Sequence, residues 1–219
     1  MLMYRSKRIS DSTIHRLSLY YRSLSELEKS GHQTVCSKEL GKREKLTPAQ
    51  VRKDLSFFGS FGTRGLGYPV RELKDKIAEI LGINRAWNVA IVGVGNIGSA
   101  LIAYKEFQKQ GFHIKLAFDN DQRKIGSRHK GIVISDVKDL KPLLRKDGIQ
   151  MVIVAVPARC AQAVVDEVVE AGVKAILSFA PTNLKVPEEV FLRTENMAIE
   201  LEHLSFHLAK SYYRRPARP

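Results

Sequence analysis

The apolar run Val89-Ala90-Ile91-Val92 enters Gly93-Val94-Gly95-Asn96-Ile97-Gly98, and a helical pattern follows from Ser99 to Gln110. A second apolar stretch ends at Phe118-Asp119, which places an acid about twenty residues beyond the last glycine, the spacing of a βαβ dinucleotide unit. Each part has a physical task. Gly93 permits a tight turn, Gly95 lets backbone approach a pyrophosphate, and Gly98 lets the helix pack closely on the strand. The free N–H groups and positive dipole at the helix start face the phosphates. Asp119 would accept the ribose hydroxyls and repel a 2′-phosphate, which favours NAD over NADP, while Arg123 and Lys124 pull the other way. Gly93, Val94, Gly95, Asn96, Ile97, Gly98, Asp119 and Lys124 are therefore candidate cofactor residues.

More than eighty residues precede this unit, and a dinucleotide-binding domain has no need of them. The chain of 219 residues has room for two small domains. Its net charge of +13 is uneven: residues 1–85 carry 17 Lys and Arg against 9 Asp and Glu, and residues 86–209 carry 15 against 14. The last ten residues add four more cations. Positive charge concentrated at the ends points to a polyanion, and nucleic acid is the first candidate. Nothing apolar is long enough to span a membrane, and Met1–Ser10 is too charged for a secretory segment. Cys36 and Cys160 form no C-x-x-C and read as buried or half-buried thiols of a cytoplasmic protein.

In the basic part, Ile14, Leu17, Tyr21, Leu24 and Leu27 recur at helical spacing from Asp11 to Lys29. Ser37 to Gly41 predicts a short second helix. Thr47-Pro48-Ala49-Gln50 predicts the start of a third, with a capping threonine, proline at the first position and a glutamine completing a capping box. From Pro48 to Phe58, Val51, Leu55 and Phe58 form one apolar stripe. Ala49, Lys53 and Ser56 face the other way, flanked by Gln50 and Arg52, a set suited to a major groove. Gly59 to Tyr68, with four glycines around Arg64, predicts a tight hairpin whose tip could enter a minor groove. A helix from Pro69 to Gly82 then leads into the second domain.

Val51-Arg52-Lys53-Asp54-Leu55-Ser56, Gly62-Thr63-Arg64-Gly65, the glycine fingerprint with Phe118-Asp119, Val156-Pro157, Phe179-Ala180-Pro181 and Leu204-Ser205-Phe206 together resemble the Rex family of redox-sensing transcriptional repressors. The likeness covers nearly the whole chain. It implies a homodimer that binds an inverted-repeat operator through a winged-helix domain and senses the NADH/NAD⁺ balance through a Rossmann domain. It implies that Arg52, Lys53 and Arg64 touch operator DNA, that Tyr104 lies near the nicotinamide, and that Val156 and Pro157 belong to the cofactor site. Arg22 matches an arginine that communicates between domains, linked in the family with that tyrosine and an aspartate of the partner's swapped C-terminal helix. This chain has Asn196 at that place, so the contact would be an amide hydrogen bond rather than an ion pair. Ser178, where the family usually has asparagine, is a second departure.

The expected layout is a winged-helix DNA-binding domain over residues 1–82, a Rossmann NAD(H)-binding domain over 83–187, and a swapped helix with a basic tail over 188–219. Ile149–Val156 and Val173–Phe179 are predicted strands around a helix at Ala158–Glu170, and Pro187–Tyr213 is predicted mostly helical. Met197, Leu201, Leu204 and Leu208 form its apolar stripe. No substrate domain is left over, and His113, His129, His203 and His207 show no nucleophile or metal spacing. A ligand-gated repressor whose operator is released by NADH is the leading reading. A small NAD-dependent oxidoreductase with an accessory nucleic-acid-binding domain, and a DNA-binding protein with a vestigial Rossmann domain, stay open.

Overall fold

The computed structural model describes residues 9–62 and 65–213, and the chain divides into two units, Met1–Arg85 and Ala86–Pro219. In the first, helix α1 (Asp11–Lys29) starts where the Ser10 hydroxyl accepts the Thr13 N–H. Strand β1 (Thr34–Val35) leads to helix α2 (Ser37–Arg43), capped by the Cys36 sulfur. Helix α3 (Pro48–Ser56) begins as its sequence predicts: Thr47 Oγ1 accepts the Gln50 N–H at 3.1 Å, and proline takes the first turn. Strand β2 (Tyr68–Pro69) pairs antiparallel with β1, and helix α4 (Val70–Leu81) ends at Gly82 with φ 69°. Leu17, Tyr20, Leu24, Leu27, Leu40, Val51, Leu55, Leu73 and Ile77 meet in one core.

Two expectations fail here, and a third falls partly outside the described residues. At the end of the expected hairpin Gly59–Tyr68, Tyr68–Pro69 pairs with Thr34–Val35. Gly67, at φ 82°, passes so close that a Cβ on it would lie 2.6 Å from the Val35 carbonyl oxygen. Arg64, the expected hairpin tip, lies outside the described residues. The capping box is only half made: the Gln50 side chain donates to Asp54 at 2.8 Å, where a charged acceptor outcompetes a backbone group. Cys36, expected at least half-buried, is exposed.

The second unit is built on a sheet in the order β5-β6-β4-β3-β7-β8-β9. Strand β3 (Trp87–Val92) is followed by helices α5 (Asn96–Ile102) and α6 (Lys105–Lys109), then β4 (Phe112–Asp119). Next come the hairpin β5 (Arg128–His129) and β6 (Ile132–Asp136), a 3₁₀ turn at Val137–Asp139, and helix α7 (Leu140–Lys146). The chain continues as β7 (Met151–Val154), α8 (Ala158–Glu170), β8 (Ala175–Ser178), β9 (Phe191–Thr194) and α9 (Met197–Tyr213). All neighbours are parallel except β5 and β6. From β6 to β9 this is the doubly wound order, and it reverses direction between β3 and β7.

The pleat sorts the core. Ala90 and Val92 face the side covered by Val165 and Val168 of α8, whereas Val89 and Ile91 face Ala117 and Ile153 on the other. The predicted helix Ser99–Gln110 is two helices, because Tyr104 adopts an extended ψ of 98° and ends the first. Pro187–Tyr213 is mostly helix, from Met197 on, and ahead of it Phe191–Thr194 adds a sixth parallel strand against the edge of β8. Its aromatic and β-branched ends suit a pleated surface. Among the described residues no helix is long and apolar enough to cross a membrane.

Candidate functional site

The reversal between β3 and β7 opens a crevice at their carboxyl ends, where such sheets receive ligands. The turn after β3 is held down by Gly93 N–H on the Phe118 carbonyl (2.8 Å), and Ala155 N–H bonds Val92 across the gap (2.8 Å). Between the glycine turn and α8 lies a cavity of about 480 Å³ lined by Gly93, Gly95, Asp119, Lys124, Val156 and Pro157, among others. That volume is within the ordinary range of small-ligand sites.

The glycines fit this reading by their surroundings. Gly93 has φ 96°, and a Cβ there would meet the Ala155 carbonyl oxygen at 2.5 Å. A Cβ on Gly98 would lie 1.9 Å from the Gly93 oxygen, so the helix could not approach with any other residue. A Cβ on Gly95 would meet nothing within 4 Å, which leaves open space beside the backbone on the cavity side. This is a cradle that a pyrophosphate can enter.

Asp119 is only 8% exposed. Its Oδ2 accepts the Val94 N–H and the Lys124 ammonium, both at 2.9 Å, and its Oδ1 accepts the Asp121 N–H at 2.9 Å. Burial pushes the carboxyl up, but the Asp121 N–H, Lys124 and the Val94 N–H together hold it below the usual carboxylate range. It is thus an anion at neutral pH, with acceptor capacity left on Oδ1. The Val94 N–H is committed to this carboxylate, while Asn96 and Ile97 are exposed on the first turn of α5.

The same wall includes residues that the motif does not mark: Asn120, Asp121, Val164 and Glu167. Cys160, expected to be buried or half-buried, is half-buried and lines this cavity. Tyr104 is not on this wall. It stands half-exposed at the break between α5 and α6, edge-on to Phe107 at 5.1 Å, beside a separate hollow with Phe112 and Ile114. Asn196 lies just before α9, its side-chain oxygen accepting the Ala198 N–H at 3.0 Å. Arg22 is exposed on α1 in the other unit.

In that unit Ala49, Arg52, Lys53 and Ser56 are exposed along α3 and Gln50 is half-buried. Arg52 donates to the Ser37 hydroxyl at 3.1 Å, which ties it to the start of α2. Behind them stands Asp54, fully buried and unmarked by the apolar pattern. It accepts from Arg16 Nε at 2.6 Å and Nη2 at 2.7 Å, and from the Tyr20 hydroxyl at 2.9 Å. The only sequence signal is weak: Arg16 and Tyr20 stand four apart on α1, facing an acid that interrupts the buried stripe of α3.

A family model described as CoA binding domain matches residues 84–182, and one described as putative DNA-binding protein N-terminus matches residues 8–56. A redox-sensing transcriptional repressor Rex of Carboxydothermus hydrogenoformans is 45% identical over 93% of this chain and 98% of its own length. The crystal structure of RSP in complex with β-NAD⁺ and operator DNA superposes with a TM-score of 0.91 at 35% identity, covering 95% of this chain and 96% of that one. RSP in complex with β-NADH gives 0.87 at 34% identity, covering 95% and 98%.

Proposed function

The chain belongs to the Rex family of redox-sensing transcriptional repressors, and from that premise we propose that it binds operator DNA and lets go of it when NADH occupies the Ala86–Pro219 unit. The observation that carries this reading is the likeness along 95% of the chain to RSP, a repressor whose structures hold β-NAD⁺ with operator DNA and β-NADH. The glycine cradle and the ionised Asp119 support the cofactor assignment, with Gly93–Gly98, Asp119, Lys124, Val156 and Pro157 as its residues. Ala49, Gln50, Arg52, Lys53, Ser56 and Arg64 are the proposed DNA-facing set. The relatives are repressors and not enzymes, and this favours sensing over turnover.

NAD⁺ and NADH differ by one hydride, so the protein must bind them with different affinity in two states to be switched. We assign the link between the units to Arg22, Tyr104 and Asn196. Asn196→Asp adds a charge for Arg22 and is expected to change the NADH concentration that half-releases the operator, a change that Arg22→Ala cancels. The proposed assembly is a homodimer on an inverted repeat, with α9 laid on the partner. Met197, Leu201 and Leu204 are 60%, 67% and 60% exposed on α9, which supports a second copy as their cover. A gel shift on an inverted-repeat operator tests the whole reading: NADH should release the DNA and NAD⁺ should not. Equal release by both, or turnover of a hydroxy or keto substrate, would overturn it.

A further inference from the structure

Asp54 uses its acceptor capacity in full. Oδ1 takes Arg16 Nη2 and Gln50 Nε2 at 2.7 and 2.8 Å, and Oδ2 takes Arg16 Nε and the Tyr20 hydroxyl at 2.6 and 2.9 Å. A carboxylate accepting four hydrogen bonds from two sides cannot rotate without breaking two of them. Arg16 is itself held by Thr13 Oγ1 at 3.1 Å, so the carboxylate is fixed to α1. Of the groups on Asp54, Gln50 belongs to the proposed DNA-facing set. An ionised carboxylate offers acceptors only, and this decides which way the amide lies: its NH₂ must face Asp54. One N–H is spent there, which leaves the second N–H and Oε1 as a donor beside an acceptor.

Resting on the repressor reading above, we infer that Asp54 presets the amide of Gln50, and that Gln50 in this orientation reads one A·T pair in each operator half-site. A donor beside an acceptor complements adenine, which shows N7 as acceptor and N6–H₂ as donor in the major groove. Guanine shows acceptors at both places, so the fixed Oε1 would be repelled by O6. Asp54 is a positioning residue here, because it acts on the DNA only through Gln50. Without it a glutamine at this place could swing both N–H groups towards the base, which suits the two acceptors of guanine.

The test is selection from a random duplex library by the full-length chain, with the base profile read at every half-site position and affinities measured on single-pair variants. The native chain should enrich a half-site motif that NADH releases. Gln50→Ala should lose preference at one A·T position, by about tenfold to a hundredfold, and keep the rest of the motif. Asp54→Asn and Arg16→Lys should blunt preference at that same position, since neither leaves a saturated carboxylate facing the amide. Arg16 is partly exposed, so Arg16→Lys carries this arm if Asp54→Asn does not fold. An unchanged profile in Gln50→Ala overturns the inference, as does a uniform loss of affinity at all positions in the folded Arg16 and Asp54 variants. A native chain that enriches no motif overturns the repressor reading and the inference together. A motif that NADH releases but that ignores Gln50 overturns the inference alone.

Discussion

Each unit of this chain has a buried carboxylate held below the usual range, and the two are built differently. Asp54 is fully buried and is surrounded by side chains from α1 and its own helix: Arg16, Tyr20 and Gln50. Asp119 stands at a cavity wall on two backbone N–H groups, from Val94 and Asp121, with the partly exposed Lys124 as its one side-chain partner. The first arrangement fixes one helix on another and leaves no room for anything new. The second keeps its shape if the lysine moves away, because the backbone donors stay, and a ligand hydroxyl can take the released place. Asp54 is saturated by its own fold, and Asp119 has a side-chain partner that a ligand could replace.

The largest effect should come from breaking the saturated site. Asp54→Ala strands Arg16 and the Tyr20 hydroxyl and should cost about 3–5 kcal/mol in the stability of the Met1–Arg85 unit. Differential scanning calorimetry should show the loss in that unit, with NADH affinity retained; a loss under 1 kcal/mol would remove the contrast. The same site predicts an acid limit. Burial raises the Asp54 carboxyl, but Arg16, Tyr20 and Gln50 outweigh it and bring it below 3.8. The unfolded chain therefore takes up the proton first. This stability is fully present above about pH 4–5 and is lost as pH falls through the lower, folded value. Asp54→Asn should flatten that part of the acid melting profile.

How much of this was legible in the sequence follows the same division. Helix α1 and helix α8 lie where periodicity puts them, Asp11–Lys29 and Ala158–Glu170, because their apolar stripes are local. The crevice was legible because glycine turn, helix start and acid lie in one short segment. Asp54 and strand β9 were not, since each owes its place to a contact distant in sequence: Arg16 and the open edge of β8. The break at Tyr104 has no glycine or proline to announce it, and the pairing of Tyr68–Pro69 with Thr34–Val35 is again a contact distant in sequence.

Next in size is Gly98→Ala. Its Cβ would sit 1.9 Å from the Gly93 oxygen, and backbone cannot yield as a side-chain tip does. Overpacking of this kind costs about 1–3 kcal/mol, and here it moves the turn that shapes the cavity. NADH affinity by calorimetry should fall at least tenfold, and operator binding should persist but no longer respond to NADH. Gly95→Ala, which meets nothing within 4 Å, should fold normally and lose affinity through the ligand alone. Should Gly95→Ala bind NADH as the native chain does, the open space beside it is not where the phosphates lie.

The smallest effect bears on whether Lys124 is replaceable at all. It is about one-third exposed, so its pairing with Asp119 is screened and worth about 1 kcal/mol or less. Lys124→Ala should change NADH affinity only a few-fold, because the Val94 and Asp121 N–H groups still hold the carboxylate. Asp119→Ala should lower NADH affinity more and raise that for NADPH relative to NADH, since the freed ammonium can then take a 2′-phosphate. The double variant separates the two causes. If Lys124 is what admits the phosphate, adding Lys124→Ala to Asp119→Ala removes the gain for NADPH, and the two changes are far from additive in a titration of both nucleotides. If the gain survives without Lys124, Asp119 excludes NADPH by its own charge, and the lysine is only a surface partner. Asp119 would then differ from Asp54 in its backbone donors and its place on the cavity wall, and not in a replaceable lysine.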